Sequence, residues 1–170
     1  MNPKESEIYY KEYFDQINNI KLVRLSNQME NQSIAFTETV ELKATNYGVH
    51  AGEKMLLRVN AYNLLKRVPK KVPDRKLPFI VRYGFTDLDA VTVQIPPGYV
   101  IEVMPEPILL ESRFGSYQAI IEKKSDHQLV YHRKFQLKYG KYEANDYEDF
   151  RKYLTKINQA DNSKIIISKI

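Results

Sequence analysis

Ile95-Pro96-Pro97-Gly98-Tyr99-Val100-Ile101-Glu102-Val103-Met104-Pro105-Glu106-Pro107 sets strand-like runs between proline and glycine stops. Val91, Val93 and Ile95 share one parity on the way into Pro96. Pro97 and Gly98 suit the central positions of a type II turn, because proline holds φ near its first value and glycine accepts positive φ at the second. The stretch therefore reads as strand, tight turn, strand, with Tyr99 closing over the end of a sandwich.

Period-two runs recur on both sides of it. Upstream, Phe36, Val40, Leu42 and Ala44 alternate with Thr37, Thr39, Glu41 and Lys43, Met55 to Val59 follows a turn at Gly52, and Phe79, Val81 and Tyr83 alternate again. Downstream, Tyr117 to Glu122 reads as a strand, and Ser125-Asp126-His127 as a hairpin turn. The clearest strand follows, with Leu129, Tyr131, Phe135, Leu137 and Tyr139 on one face. Lys164 to Ser168 is a last strand. About eight short strands at this spacing predict a mainly β chain, an antiparallel β-sandwich.

Helices are expected at each end. Asn2-Pro3-Lys4-Glu5 has the residues of a helix start, and Ile8, Tyr9, Tyr13, Phe14 and Ile17 follow at helical spacing. Near residues 145–160, Asn145 with Glu148 has the spacing of a capping box, and Tyr147, Phe150, Leu154 and Ile157 form an apolar stripe that Asp161-Asn162 ends.

Composition narrows the function. The 170 residues include no cysteine, which removes disulfides, thiolate nucleophiles and cysteine-ligated metals. No apolar run approaches the ~20 residues of a membrane-spanning helix. His50, His127 and His132 have no pairing that forms a metal site, so no metal or cofactor is expected. Asp87-Leu88-Asp89 is expected in a turn, and neither it nor Glu102, Glu106 or Glu111 has a spacing that forces two carboxylates together. Ser116 lacks a nucleophile-elbow context, and no catalytic residue is expected.

The net charge of +5 is local. Lys66, Arg67, Lys70, Lys71, Arg75 and Lys76 stand against Asp74 alone, while the remaining 20 basic and 20 acidic groups balance. Pro69, Pro73 and Pro78 keep this segment out of regular structure. A solvated connection is the ordinary reading of such a run, and contact with an anionic partner is the sharper one. Nucleic acid is not expected there, because no aromatic is interleaved for base stacking. Thirteen tyrosines without tryptophan raise a glycan platform as a further reading. Against it, Tyr83, Tyr131 and Tyr139 fall in the apolar parity, where core positions are expected.

The ordered set of Asn19-Ile20-Lys21, Arg75-Lys76-Leu77-Pro78, Ile95 to Glu102, Met104-Pro105-Glu106-Pro107, Phe114-Gly115-Ser116-Tyr117, Tyr147 to Tyr153 and Ala160 to Ile167 resembles a known domain. It is the C-terminal domain of unknown function that follows a transglutaminase-like domain in a group of bacterial, usually exported, proteins. The resemblance implies residues 1–18 as a helical connector from a preceding domain and 19–170 as the β-sandwich domain. It implies a non-catalytic accessory domain that packs on or positions a catalytic neighbour in the periplasm or cell envelope. The chain is then expected to be a fragment, partnered by preceding domains of its own polypeptide. An independent extracytoplasmic binding module for a glycan, peptide or anionic cell-wall polymer is the other expectation. No Cys-His-Asp triad is carried over, since the cysteine is absent.

Overall fold

A computed structural model describes residues 3–32 and 34–170, so the expected N-cap Asn2 lies outside the described residues. The chain is mainly β with antiparallel sheets, a short N-terminal helix and a C-terminal helix. It divides into two compact units, Met1–Val49 and His50–Ile170.

The first unit holds α1 (Pro3–Tyr13), β1 (Ile20–Glu30) and β2 (Ala35–Ala44). Helix α1 stops four residues short of Ile17; Phe14 and Ile17 donate their N–H groups to Tyr10 and Phe14 in the turn that follows. β1 and β2 pair from Ile20 opposite Ala44 to Glu30 opposite Ala35, with a bulge between Leu22 and Arg24. Tyr10, Phe14 and Ile20 form the buried centre, with Leu22, Leu25, Val40 and Leu42 packed round it. The 11 residues of α1 reach about 16 Å, whereas the 11 of β1 reach about 36 Å. The apolar face of the hairpin therefore outruns its helix. Its far end carries the cross-strand pair Met29 and Phe36, 62% and 59% exposed.

The second unit contains β3 (Val49–Ala51, which begins at the boundary), β4 (Lys54–Arg58), β5 (Phe79–Val81), β6 (Phe85–Gln94), β7 (Tyr99–Val103), β8 (Ile108–Ser112), β9 (Gly115–Ser125), β10 (Gln128–Leu137), β11 (Gly140–Tyr142), α2 (Tyr147–Asp161) and β12 (Lys164–Lys169). One four-stranded sheet runs β6-β10-β9-β8, a second β3-β4-β12-β7, and β11-β5 is a small ribbon. Tyr117, Leu129, Tyr131 and Phe135 from the first sheet, Ile165 and Ile167 from the second, and Phe150, Leu154 and Ile157 from α2 share one core. The predicted stripe of α2 is thus the face it buries. Phe79, Phe114 and Phe150 close one side of that core, with ring centroids 5.1–6.4 Å apart.

The turn at Pro97-Gly98 forms as expected. Gly98 has φ of 85°, and Tyr99 N–H donates to the Pro96 carbonyl at 3.3 Å. Other expectations shift. The described residues hold twelve strands rather than about eight; β3 and β11 are three-residue pieces without visible alternation, and β8 is a five-residue strand not expected from the sequence. Asn145 lies inside a 3-10 turn, Ala144–Asp146, that starts the helical run early; the Asp146 carboxylate accepts the Glu143 N–H at 3.1 Å. Tyr83 and Tyr139, expected in the core, are 81% and 71% exposed. β5 ends at Val81 and β10 at Leu137, so strand parity no longer governs where these rings point.

Candidate functional site

Arg133 stands on β10 between Tyr131 and Phe135, three inward positions of one strand. A charged group there needs partners, since an unpaired charge in a core is prohibitive. They come from two other elements, and a third segment braces them. Asp161, fully buried in the last turn of α2, accepts Arg133 Nε on Oδ1 at 2.8 Å and Nη2 on Oδ2 at 3.1 Å. Asp89 of β6, directly opposite Arg133 in the ladder, accepts Nη1 at 2.8 Å. Asn60 and Asn63, in the chain leaving β4, reach Asp161 and Asp89 at 3.1 Å and 3.3 Å. Asp161 takes two further donors, the Tyr117 hydroxyl and the Leu65 N–H, both at 2.8 Å.

The electrostatics follow from this enclosure. Burial by itself would lower the Arg133 pKa, but the hydrogen bonds and charge of Asp161, with those of Asp89, raise it above its usual value. Burial, then the charge of Asp161, pushes the Tyr117 phenol up. Burial, then the same carboxylate, pushes Tyr131 up to about 12. The guanidinium also lies 5.5 Å from the ring centroids of Tyr117 and Phe135.

This constellation holds structure rather than performing chemistry. General acid–base work needs a group that reaches a substrate proton. Asp161 is saturated by five hydrogen bonds and sealed from solvent. Together these bonds tie sheet, helix and the β4 exit to one carboxylate.

The expected turn at Asp87 to Asp89 is therefore a correction: both aspartates lie in mid-strand on the inward parity of β6, because Asp89 is opposite Arg133. Glu102 sits on β7 of the other sheet, where Lys54 and Ser168 donate to it; the Lys54 and Ser168 hydrogen bonds hold its pKa down. The structure does not bring it to Asp89. His50, His127 and His132 are each exposed, and no group of three metal-ligating side chains converges among the described residues. The outer face of the β6-β10-β9 sheet holds an open depression of about 320 Å³ over Ala90 and Ile120, rimmed by Gln118, His132 and Lys134 and lined by no phenylalanine, tyrosine or tryptophan.

Of the six basic residues singled out in the sequence, Lys66, Arg67, Lys70, Lys71 and Lys76 are exposed. Arg75 is instead partly buried. Its guanidinium lies 4.5 Å from the Tyr147 ring centroid and donates to the carbonyls of Leu77 and Pro78 at 2.8 Å and 3.3 Å. The segment is also tied down. Leu65 accepts Asn158 Nδ2 on its carbonyl at 2.6 Å, and the Tyr147 hydroxyl donates to the Lys70 carbonyl at 2.9 Å.

The fold and this sealed polar centre define a small mainly β domain in which charge is used to hold the core. Residues 53–167 match the model of a domain of unknown function with a solved structure, DUF3858, and the chain belongs to that family. The match begins four residues after Val49, so the first compact unit lies outside it. No curated protein and no solved structure matches the chain.

Proposed function

We propose that this chain is a non-catalytic accessory domain that packs on or positions a neighbouring domain of the same polypeptide. The observation that carries this is the apolar surplus of the first unit. Three of its hydrophobic residues are buried, while Ile8, Tyr9, Tyr13, Val23, Met29, Ile34, Phe36, Tyr47 and Val49 are exposed. A two-stranded ribbon is marginal in water on its own, and so many exposed hydrophobics around a three-residue buried centre suit a surface that a neighbour covers. On the resemblance of the sequence, the neighbour is a transglutaminase-like catalytic domain, and the whole protein is a bacterial one acting in the periplasm or cell envelope. The sealed Arg133–Asp161 centre supports the non-catalytic part of the reading.

The gene upstream of the Met1 codon tests it. A long in-frame extension encoding an export signal and a Cys-His-Asp core is the expected result. A stop codon directly upstream would overturn the accessory reading and promote the second one, an independent binding module. The pinned basic segment favours that second reading.

A further inference from the structure

Lys66-Arg67-Val68-Pro69 is followed by Lys70-Lys71-Val72-Pro73, two rounds of a cation pair and a Val-Pro pair. The structure stretches this pattern along α2. At one end, Asn158 and Asp161, in the last turns of the helix, hold Leu65; at the other, Tyr147 in its first turn holds Lys70. Tyr147 and Asn158 are separated by about 16 Å of helix. The five steps from Leu65 to Lys70 cover about that distance only when the chain is extended. Successive cation pairs then stand roughly 13 Å apart along a line. Val68 packs against the core, while Arg67, Lys70 and Lys71 remain exposed.

The helix beneath does not neutralise the strap. Asp146 pairs with Arg113, Glu148 with Arg151 and Asp149 with Lys152. Arg67, Lys70, Lys71 and Lys76 enter no ion pair among the described residues. These four cations have Asp74 as the only acidic residue in their segment, and none of them pairs with it, so they repel one another until an outside anion arrives.

We propose that the strap over residues 66–76 is a track for a linear polymer of phosphate groups. The line of cation pairs matches an extended polyanion better than a compact anion. Ammonium groups act as point charges suited to phosphate. The strap itself carries no aromatic residue for bases to stack on, and Arg75 covers the Tyr147 ring. The proposal deepens the binding-module reading. It is independent of the first unit's apolar surface, so its failure leaves the accessory reading standing.

The test is a fluorescence titration of the intact chain with long-chain inorganic polyphosphate across a range of salt. The expected log–log salt slope is about −3 for four cations. A Lys70→Ala/Lys71→Ala double variant should bind at least tenfold more weakly with its melting temperature unchanged. Lys134→Ala, on the outer sheet face, should bind as the parent does. A flat salt plot, no binding at low salt, or equal losses in the Lys134→Ala variant would overturn the proposal. Tenfold tighter binding of oligo-dT than of polyphosphate would also overturn it, in favour of a single-stranded nucleic acid.

Discussion

The two units solve the problem of a small hydrophobic core in opposite ways. The second closes its core with two sheets and a helix, and fixes these elements to one another through a buried carboxylate. The first lays a short helix on a long hairpin, buries three hydrophobic residues with others packed round them, and leaves the far end of its apolar face, at Met29 and Phe36, open. The family match covers only the second. The contrast is one of core size: both units expose large hydrophobic side chains, but the second buries a cluster drawn from two sheets and a helix, whereas the first buries three residues among those described.

The strongest way to break this contrast is at Asp161. Asp161→Ala removes five hydrogen bonds and leaves Arg133 buried with Asp89 as its remaining carboxylate. Loss of about 3–5 kcal/mol is expected in a denaturant titration. A loss below about 1 kcal/mol would show that the second unit does not depend on its polar centre.

Gly115→Ala comes next. Gly115 has φ of 149°, and a Cβ there would stand 1.9 Å from the Gln136 carbonyl oxygen on β10. Strand β9 cannot move away from β10 without opening the ladder, so a loss of about 2–3 kcal/mol is expected. Unchanged melting would place the β9–β10 approach elsewhere.

Alkali should probe the same core. Tyr131 titrates near 12 when folded, against an ordinary phenol value of 10.0. Its folded pKa is raised, so its contribution is complete below pH 10 and is lost as pH rises towards 12, by up to about 1.4 kcal/mol per pH unit. Stability that stays level from pH 10 to 12 would contradict the burial of this phenol.

Gly98→Ala should cost about 1 kcal/mol, the penalty of a side chain at positive φ. Nothing stands within 4 Å of the new Cβ, so no clash adds to it. Phe36→Ser on the hairpin should shift stability by less than about 0.5 kcal/mol, because the ring is 59% exposed. It should nevertheless reduce binding of a hydrophobic dye. A cost of several kcal/mol there, comparable to a core phenylalanine, would show that the first unit's face is already covered.

Much of the second unit was legible in the sequence because local periodicity and packing agree there. The β10 parity buries Leu129, Tyr131 and Phe135, the α2 stripe buries Phe150, Leu154 and Ile157, and the turn forms at Pro97-Gly98. The polar centre was not, although both its charges carry a signal. Arg133 occupies the inward parity of the clearest strand, and Asp161 continues the α2 stripe one turn beyond Ile157. Each taken alone looks like an interruption. Only tertiary structure brings the two together across 28 residues of sequence. The basic segment was legible as charge but not as shape, since its extension depends on Tyr147, Asn158 and Asp161 of a helix far along the chain. The open face of the first hairpin was hidden for a similar reason. Phe36 shares its parity with Val40 and Leu42, and nothing in that alternation records that α1 ends before reaching it.

The most direct test of the contrast is amide hydrogen exchange, measured on this chain alone and on the full polypeptide its gene encodes. In the chain alone, residues 20–44 should exchange orders of magnitude faster than β9 and β10. In the full polypeptide, protection should rise in residues 20–44 and stay unchanged in β9 and β10. Equal protection of the two units in the chain alone, or no gain over residues 20–44 in the full polypeptide, would contradict the account.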